Sequence, residues 1–117
     1  NQVNKTNYVC AHKTSGNYPS EISEFDLCKL ERWESPTFDC PYVASSQIKF
    51  GLKFVEEHAI SNGCVLVIGS LEELHIDDSL VEETGHINHS AAETLTVSGL
   101  DSYYDPQFLK RLARVRQ

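Results

Sequence analysis

Residues 48–76 constrain the fold more than any other stretch of this chain. Ile48, Phe50, Leu52 and Phe54 alternate with Lys49, Gly51 and Lys53, the two-residue period of a strand with one buried face. Ser61-Asn62-Gly63 follows, and Cys64-Val65-Leu66-Val67-Ile68-Gly69 then runs on through Leu71, Leu74 and Ile76. Apolar runs joined through Asn-Gly predict a long antiparallel hairpin. A two-residue Asn62-Gly63 turn sets Phe50 opposite His75 and Leu52 opposite Glu73. Moving the pairing by one residue sets Phe50 opposite Ile76 and Leu52 opposite Leu74, apolar on apolar. The expectation is therefore a three-residue loop or a one-residue bulge, the bulge near Glu56-Glu57 or Gly69. Residues 65–68 are apolar on both parities and are expected to be buried on both faces, where a sheet closes or meets a partner subunit.

Around this hairpin the signals are shorter. A short helix is predicted after Asn4, ending where Gly16-Asn17 brings turn chemistry and Pro19 extends Tyr18. Ser20 is placed to cap a second short helix carrying Glu21 and Glu24 in its first turn, with Ile22 and Phe25 inward. Residues 29–46 show little periodicity and carry Pro36 and Pro41. They read as a long ordered connection held by Leu30, Trp33, Phe38 and Tyr42, with Trp33 as a packing anchor. Asp77-Asp78-Ser79 opens a turn or short helix, Glu82-Glu83-Thr84-Gly85 an exposed turn, and residues 98–104 a loop rich in hydroxyls. Asp105-Pro106 is a helix start, predicting a short basic C-terminal helix with Phe108, Leu109 and Leu112 inward and Lys110, Arg111, Arg114 and Arg116 outward.

A chain of 117 residues with a net charge of −7 is expected to form one domain spanning residues 1–117. It offers no broad cationic surface for nucleic acid or an anionic membrane. No run is long enough to span a bilayer as a helix. Cys10, Cys28, Cys40 and Cys64 are widely spaced without Cys-x-x-Cys, which argues against a zinc ribbon or redox dithiol. They read as reduced thiols of a cytoplasmic protein. His86 and His89 are three apart, but Gly85 and Asn88 disfavour a helix there and no third ligand stands at a suitable spacing, so no metal site is assigned. The chain begins at Asn1 and contains no methionine, as a processed protein or part of a longer one would.

The stretch with the most chemistry is His12-Lys13-Thr14-Ser15-Gly16-Asn17-Tyr18-Pro19. Lys13 supplies a charge, Thr14, Ser15 and the N–H groups near Gly16 supply donors, and Tyr18 supplies a ring, a set suited to an anionic ligand with a flat ring. The same residues also make an ordinary polar turn. No Walker loop, Gly-x-Gly-x-x-Gly or Gly-x-Ser-x-Gly occurs.

Taken in order, the motifs resemble the FMN-binding, flavin reductase-like split β-barrel proteins. Thr14-Ser15-x-x-Tyr18-Pro19 runs into Ser23-Glu24-Phe25 and then Pro41-Tyr42-Val43-Ala44-Ser45-Ser46. The likeness continues through Leu66-Val67-Ile68-Gly69-Ser70, His75-Ile76-Asp77-Asp78 and Gly85-His86-Ile87 to Ser98-Gly99-Leu100-Asp101-x-Tyr103. Gly85-His86-Ile87-Asn88 replaces the usual Gly-[RK]-Ile-Asp. The arginine and one glycine of the family's last motif are also replaced. The family's early Asn-x-Ala-Pro-[FY]-Ser loop has no counterpart, so the resemblance implies that about the first third of a family member is not in this chain.

That resemblance implies a mainly β fold with short helices, an incomplete split barrel. It implies an FMN cofactor held by Lys13, Thr14 and Ser15 at the phosphate, with Tyr18 against the flavin and Tyr103 or Tyr104 reaching the ring or the dimer partner. NADH or NADPH is the implied electron donor, a monooxygenase component or another acceptor the partner, and a homodimer the assembly. The chemistry is then the flavin's, with no catalytic acid or base required of the protein. The alternative is a non-catalytic split barrel that binds flavin or haem.

Overall fold

A computed structural model describes residues 1–115. Two short helices, α1 (Tyr8–Lys13) and α2 (Glu24–Leu27), precede the strands β1 (Arg32–Ser35), β2 (Phe38–Val43), β3 (Ile48–Ala59) and β4 (Val65–Ile76). A single 3-10 turn at Asp78–Leu80 leads to β5 (Thr96–Ser98) and β6 (Ser102–Tyr104). The fold is thus mainly β with few short helices. The strands pair as three antiparallel two-stranded sheets, β1–β2, β3–β4 and β5–β6, which do not close on one another among the described residues.

The β3–β4 hairpin forms as expected, with a three-residue Ser61, Asn62, Gly63 loop closed by the Ile60 N–H on the Cys64 carbonyl at 2.8 Å. Gly63 takes a positive φ of 84°, which glycine adopts without strain. One bulge places Val55 as an extra residue between Phe54↔Gly69 and Glu56↔Ile68, next to the expected site. A second, unexpected, makes Glu72 the extra residue between Gly51↔Glu73 and Leu52↔Leu71. Because the two lie on opposite strands they cancel, and the ends pair as Ile48↔Ile76 and Ala59↔Val65. Phe50 therefore faces Leu74, not Ile76 as the sequence argument had it, and Leu52 faces Leu71 rather than Leu74. Apolar still meets apolar, reached by two bulges instead of one.

Residues 29–46 are not a plain connection. The β1–β2 hairpin pairs Trp33 with Tyr42 and Ser35 with Phe38, and neither alternation nor an Asn-Gly turn announces it. Its aromatic side chains lie across β3 at Gly51. A Cβ built there would run into the Tyr42 hydroxyl and come within 3.1 Å of the Phe38 ring. A hydrogen at this position is what lets the two hairpins approach.

The core sits at the Ile48/Ile76 end of the long hairpin, where Ile48, Leu80 and Ala92 are buried and Phe50, Ile76 and Ile87 pack against them. It is small. The radius of gyration is 16.5 Å, against about 13 Å for a compact domain of this size. The distal half of the hairpin is correspondingly bare. Val65, Leu66 and Val67 are 52%, 52% and 60% exposed: among the described residues no element lies over them, so the burial expected where the sheet closes or meets a partner subunit is not supplied within this chain.

Three local expectations are also corrected. The second helix starts at Glu24 behind Ser23, not behind Ser20, and Ser23 makes no side-chain cap bond. Residues 98–104 are the end of β5, the turn and β6 of the β5–β6 hairpin, with Val97 opposite Tyr103 and Ser98 opposite Ser102. Residues 105–115 form no helix. Asp105 pairs with Lys5 at 2.6 Å, and the Phe108 N–H that it would cap goes to Ser90 Oγ at 3.3 Å. Phe108, Leu109 and Leu112 face solvent, and without an apolar surface to pack on a helix this short is marginal. Arg111 pairs with Glu82 at 2.6 Å, while Arg116 lies outside the described residues.

Gly51→Ala should destabilise the protein by about 1–3 kcal/mol, as overpacking does. Equilibrium urea unfolding measures it, and a change below a few tenths of that would refute the close approach at Gly51.

Candidate functional site

The Lys13 stretch is positioned by a buried polar knot at the start of α1. Asn4 and Asn7 bond reciprocally: Asn4 Oδ1 accepts from the Asn7 N–H at 3.1 Å and from the Thr6 N–H at 2.9 Å, while Asn7 Oδ1 accepts from the Asn4 N–H at 3.0 Å. This works as a capping box does, each side chain satisfying an orphan N–H of the other. The amides then reach across the chain. Asn4 Nδ2 donates to the Ser45 carbonyl at 2.8 Å and Asn7 Nδ2 to Ser46 Oγ at 3.0 Å. The helix start is thereby fixed to the segment entering β3. Sequence reading placed a helix after Asn4 but missed Asn7, Ser45 and Ser46; the Asn-x-x-Asn spacing was the available signal.

At the other end of α1 the candidate residues come together. Lys13 closes the helix, exposed and, among the described residues, outside every ion pair. Three hydroxyls fold back on the last carbonyls: Thr14 Oγ1 donates to Ala11, Ser15 Oγ to His12 and Tyr18 to Lys13, each at 2.7 Å. The Thr14, Ser15 and Gly16 N–H groups are also committed to those carbonyls, at 3.1 Å each. Tyr18 packs its ring onto Gly16, where a Cβ would sit 2.5 Å from Cζ.

Tyr103 arrives from β6 on the same helix. Its hydroxyl and His12 Nδ1 are 3.1 Å apart, and its ring lies 5.5 Å from Tyr8 and 5.7 Å from His12. Lys13, Thr14, Ser15 and Tyr18 thus gather at the C-terminal end of α1, with Tyr103 beside the neighbouring His12. Tyr8 joins this group from the structure alone, and His12, first residue of the sequence stretch, gains its place through Tyr103. The pole of a helix C-terminus is negative, so an anion here depends on the Lys13 ammonium.

A second cluster was not foreseen. Glu73, on β4 opposite Gly51, accepts from Ser35 Oγ at 3.1 Å, from Thr37 Oγ1, from Tyr42 at 2.8 Å and from His75 Nε2 at 2.7 Å. Bonds to Thr37, His75, Tyr42 and Ser35 hold its carboxyl down at about 2. Desolvation and the facing carboxylate push the Tyr42 phenol up to about 12. Trp33 stacks beside it, 4.7 Å from His75 and 5.7 Å from Tyr42, with the Lys49 ammonium 5.5 Å from the indole centre. Trp33 makes these ring contacts while 37% exposed. Burial lowers the Lys49 pKa.

No three His, Cys, Asp or Glu side chains group as a metal set among the described residues. Cys10, Cys28, Cys40 and Cys64 are all unpaired. No helix of the described residues is long and apolar enough to cross a membrane.

No family model and no curated protein matches the chain, but solved structures do. A split-barrel protein of Shewanella frigidimarina assigned as a flavin reductase is 36% identical and superimposes with a TM-score of 0.92 over 98% of this chain. Component B of nitrilotriacetate monooxygenase from Bacillus cereus is 21% identical with a TM-score of 0.78 over 95%. Flavoredoxin of Desulfovibrio vulgaris is 20% identical with a TM-score of 0.70 over 94%. The chain spans 59%, 57% and 59% of those three proteins respectively. Its fold is that of the split-barrel flavin reductases over the part it spans, and the unclosed sheets are an incomplete barrel of that kind.

The pH dependence of stability tests the Glu73 cluster. A carboxyl lowered from 4.5 to about 2 adds stability that is fully present above pH 4.5 and is lost as pH falls toward 2. Urea unfolding of wild type and Glu73→Gln should show a gap at neutral pH that closes across that window. A gap independent of pH would count against the cluster.

Proposed function

We propose, for a chain that carries the split-barrel flavin reductase fold, that it forms part of an FMN-binding oxidoreductase whose flavin takes hydride from NADH or NADPH. The observation that carries this reading is the superposition of nearly the whole chain on a protein assigned as a flavin reductase. The residues present suit the cofactor. Lys13 gives an unpaired ammonium for a phosphate, Thr14 and Ser15 give hydroxyls beside it, and Tyr18 and Tyr103 give flat surfaces nearby. FMN supplies the redox chemistry when bound, and the protein's residues bind and orient it.

Under this reading Lys13 carries most of the phosphate recognition. The hydroxyls already have carbonyl partners, so a ligand exchanges one acceptor for another there. Electrons pass on to a monooxygenase component or another acceptor. A homodimer in the cytoplasm completes the reading, supported by the bare distal half of the β3–β4 hairpin.

Quenching of flavin fluorescence on titrating FMN with the purified protein that contains this chain, followed by NADH and NADPH oxidation assays, tests it. Binding and oxidation are both expected. Lys13→Ala should weaken FMN binding by about 1–3 kcal/mol, the value of a charge-assisted bond. Unchanged affinity would remove Lys13 from the site, and absence of binding at micromolar FMN would defeat the proposal. FMN binding without nicotinamide oxidation would mark a non-catalytic split barrel.

A further inference from the structure

Lys49 is a cation without an anion. It stands directly across the β3–β4 ribbon from His75, on the same face as Gly51 and Glu73, where the β1–β2 hairpin lies over β3. Its ammonium donates to the Ser46 carbonyl and rests 5.5 Å from the centre of the Trp33 ring. Among the described residues no carboxylate pairs with it, and of an ammonium's three donors only the one on Ser46 is matched. Trp33 is partly exposed, its ring set by His75 at 4.7 Å and Tyr42 at 5.7 Å. His75 is set in turn by Glu73 at 2.7 Å. Trp33 from β1, Lys49 from β3 and His75 from β4 open on a cleft of about 510 Å³ that also takes in Gln47 and Asp77. Asp77, the carboxylate at its rim, is turned to the Ser79 N–H at 2.8 Å.

We propose that this cleft binds a small aromatic carboxylate, its carboxylate on the Lys49 ammonium and its ring against the exposed part of the Trp33 indole. The burial that lowers the Lys49 pKa penalises an unpaired charge, and a partly desolvated ammonium gains more from an anion than a solvated one does. The indole is already fixed by two neighbouring rings, so a ligand ring that stacks there orders little that was free. The volume suits a small ligand, for which sites run to about 300–1,000 Å³. Its walls are strands of this chain, so the cleft does not depend on closing the barrel. It is also apart from the proposed flavin contacts. Ser46 accepts from Asn7 at the start of α1 at 3.0 Å, whereas Lys13 closes the far end of that helix.

Calorimetric titration of the purified protein that contains this chain with benzoate tests the site. Saturable binding is expected. Benzamide, which lacks the charge, and cyclohexanecarboxylate, which lacks the flat ring, should each bind about tenfold more weakly or worse. Lys49→Gln and Trp33→Leu should each weaken benzoate by a similar factor, with urea unfolding as the check that both variants fold, and Lys49→Arg should retain binding. No saturable binding at millimolar benzoate would overturn the proposal, as would equal affinity for the three compounds or a folded Lys49→Gln protein that binds benzoate unchanged. Repeating the titration with FMN present separates the two sites. Unchanged benzoate affinity is expected, and competition by FMN would overturn a site apart from the flavin. The benzoate titration itself needs no flavin, so failure of the cofactor proposal leaves its result readable.

Discussion

The Glu73 carboxylate is the point through which the two larger hairpins hold together. It stands on β4 opposite Gly51, and because Gly51 has no side chain the β1–β2 hairpin comes close enough for Ser35, Thr37 and Tyr42 to donate to it. His75, two residues along the same strand, takes the remaining approach. A carboxylate removed from water is costly unless its oxygens are satisfied, and here both are. The interaction therefore depends on a bulge: the extra residue at Glu72 sets which face of β4 Glu73 occupies. Removing either the bulge or the glycine separates the donors from the acceptor.

The candidate cofactor residues inherit their position from a different device. The short α1 has no buried residue of its own and would not persist on propensity alone. The reciprocal Asn4 and Asn7 bonds, and their reach to Ser45 and Ser46, fix its start to the chain entering β3. Tyr103 fixes its far end through His12. Lys13 is thus displayed from a helix held at both ends, although its own side chain is free.

The long hairpin was legible because its two signals, alternation and an Asn-Gly turn, are local. Its register was legible only in outline, since two bulges that cancel leave no mark on the pattern of apolar residues. The β1–β2 hairpin was hidden because its strands are short, carry Pro41, and are held by Glu73 from another sheet rather than by an alternating face. Lys13, Thr14, Ser15 and Tyr18 were chosen as candidates from residue chemistry and Tyr103 from family likeness. The Asn4 knot was overlooked because asparagines read first as turn formers. The C-terminal helix failed in the opposite sense: Asp105-Pro106 and the spacing of Phe108, Leu109 and Leu112 encode it, but among the described residues no apolar surface packs against it.

The distribution of apolar surface follows from these constraints. The core at the Ile48/Ile76 end is closed by Leu80 and Ala92, while the hairpin beyond the Val55 bulge carries exposed valines and leucines on both faces with no described element over them. A two-stranded ribbon is at best marginal alone in water. Here its proximal half is propped by the β1–β2 hairpin through Glu73 and Gly51, and its distal half has no such prop. Exposed contiguous apolar residues on an ordered hairpin mark a surface that functions when covered, as the open side of an incomplete barrel does.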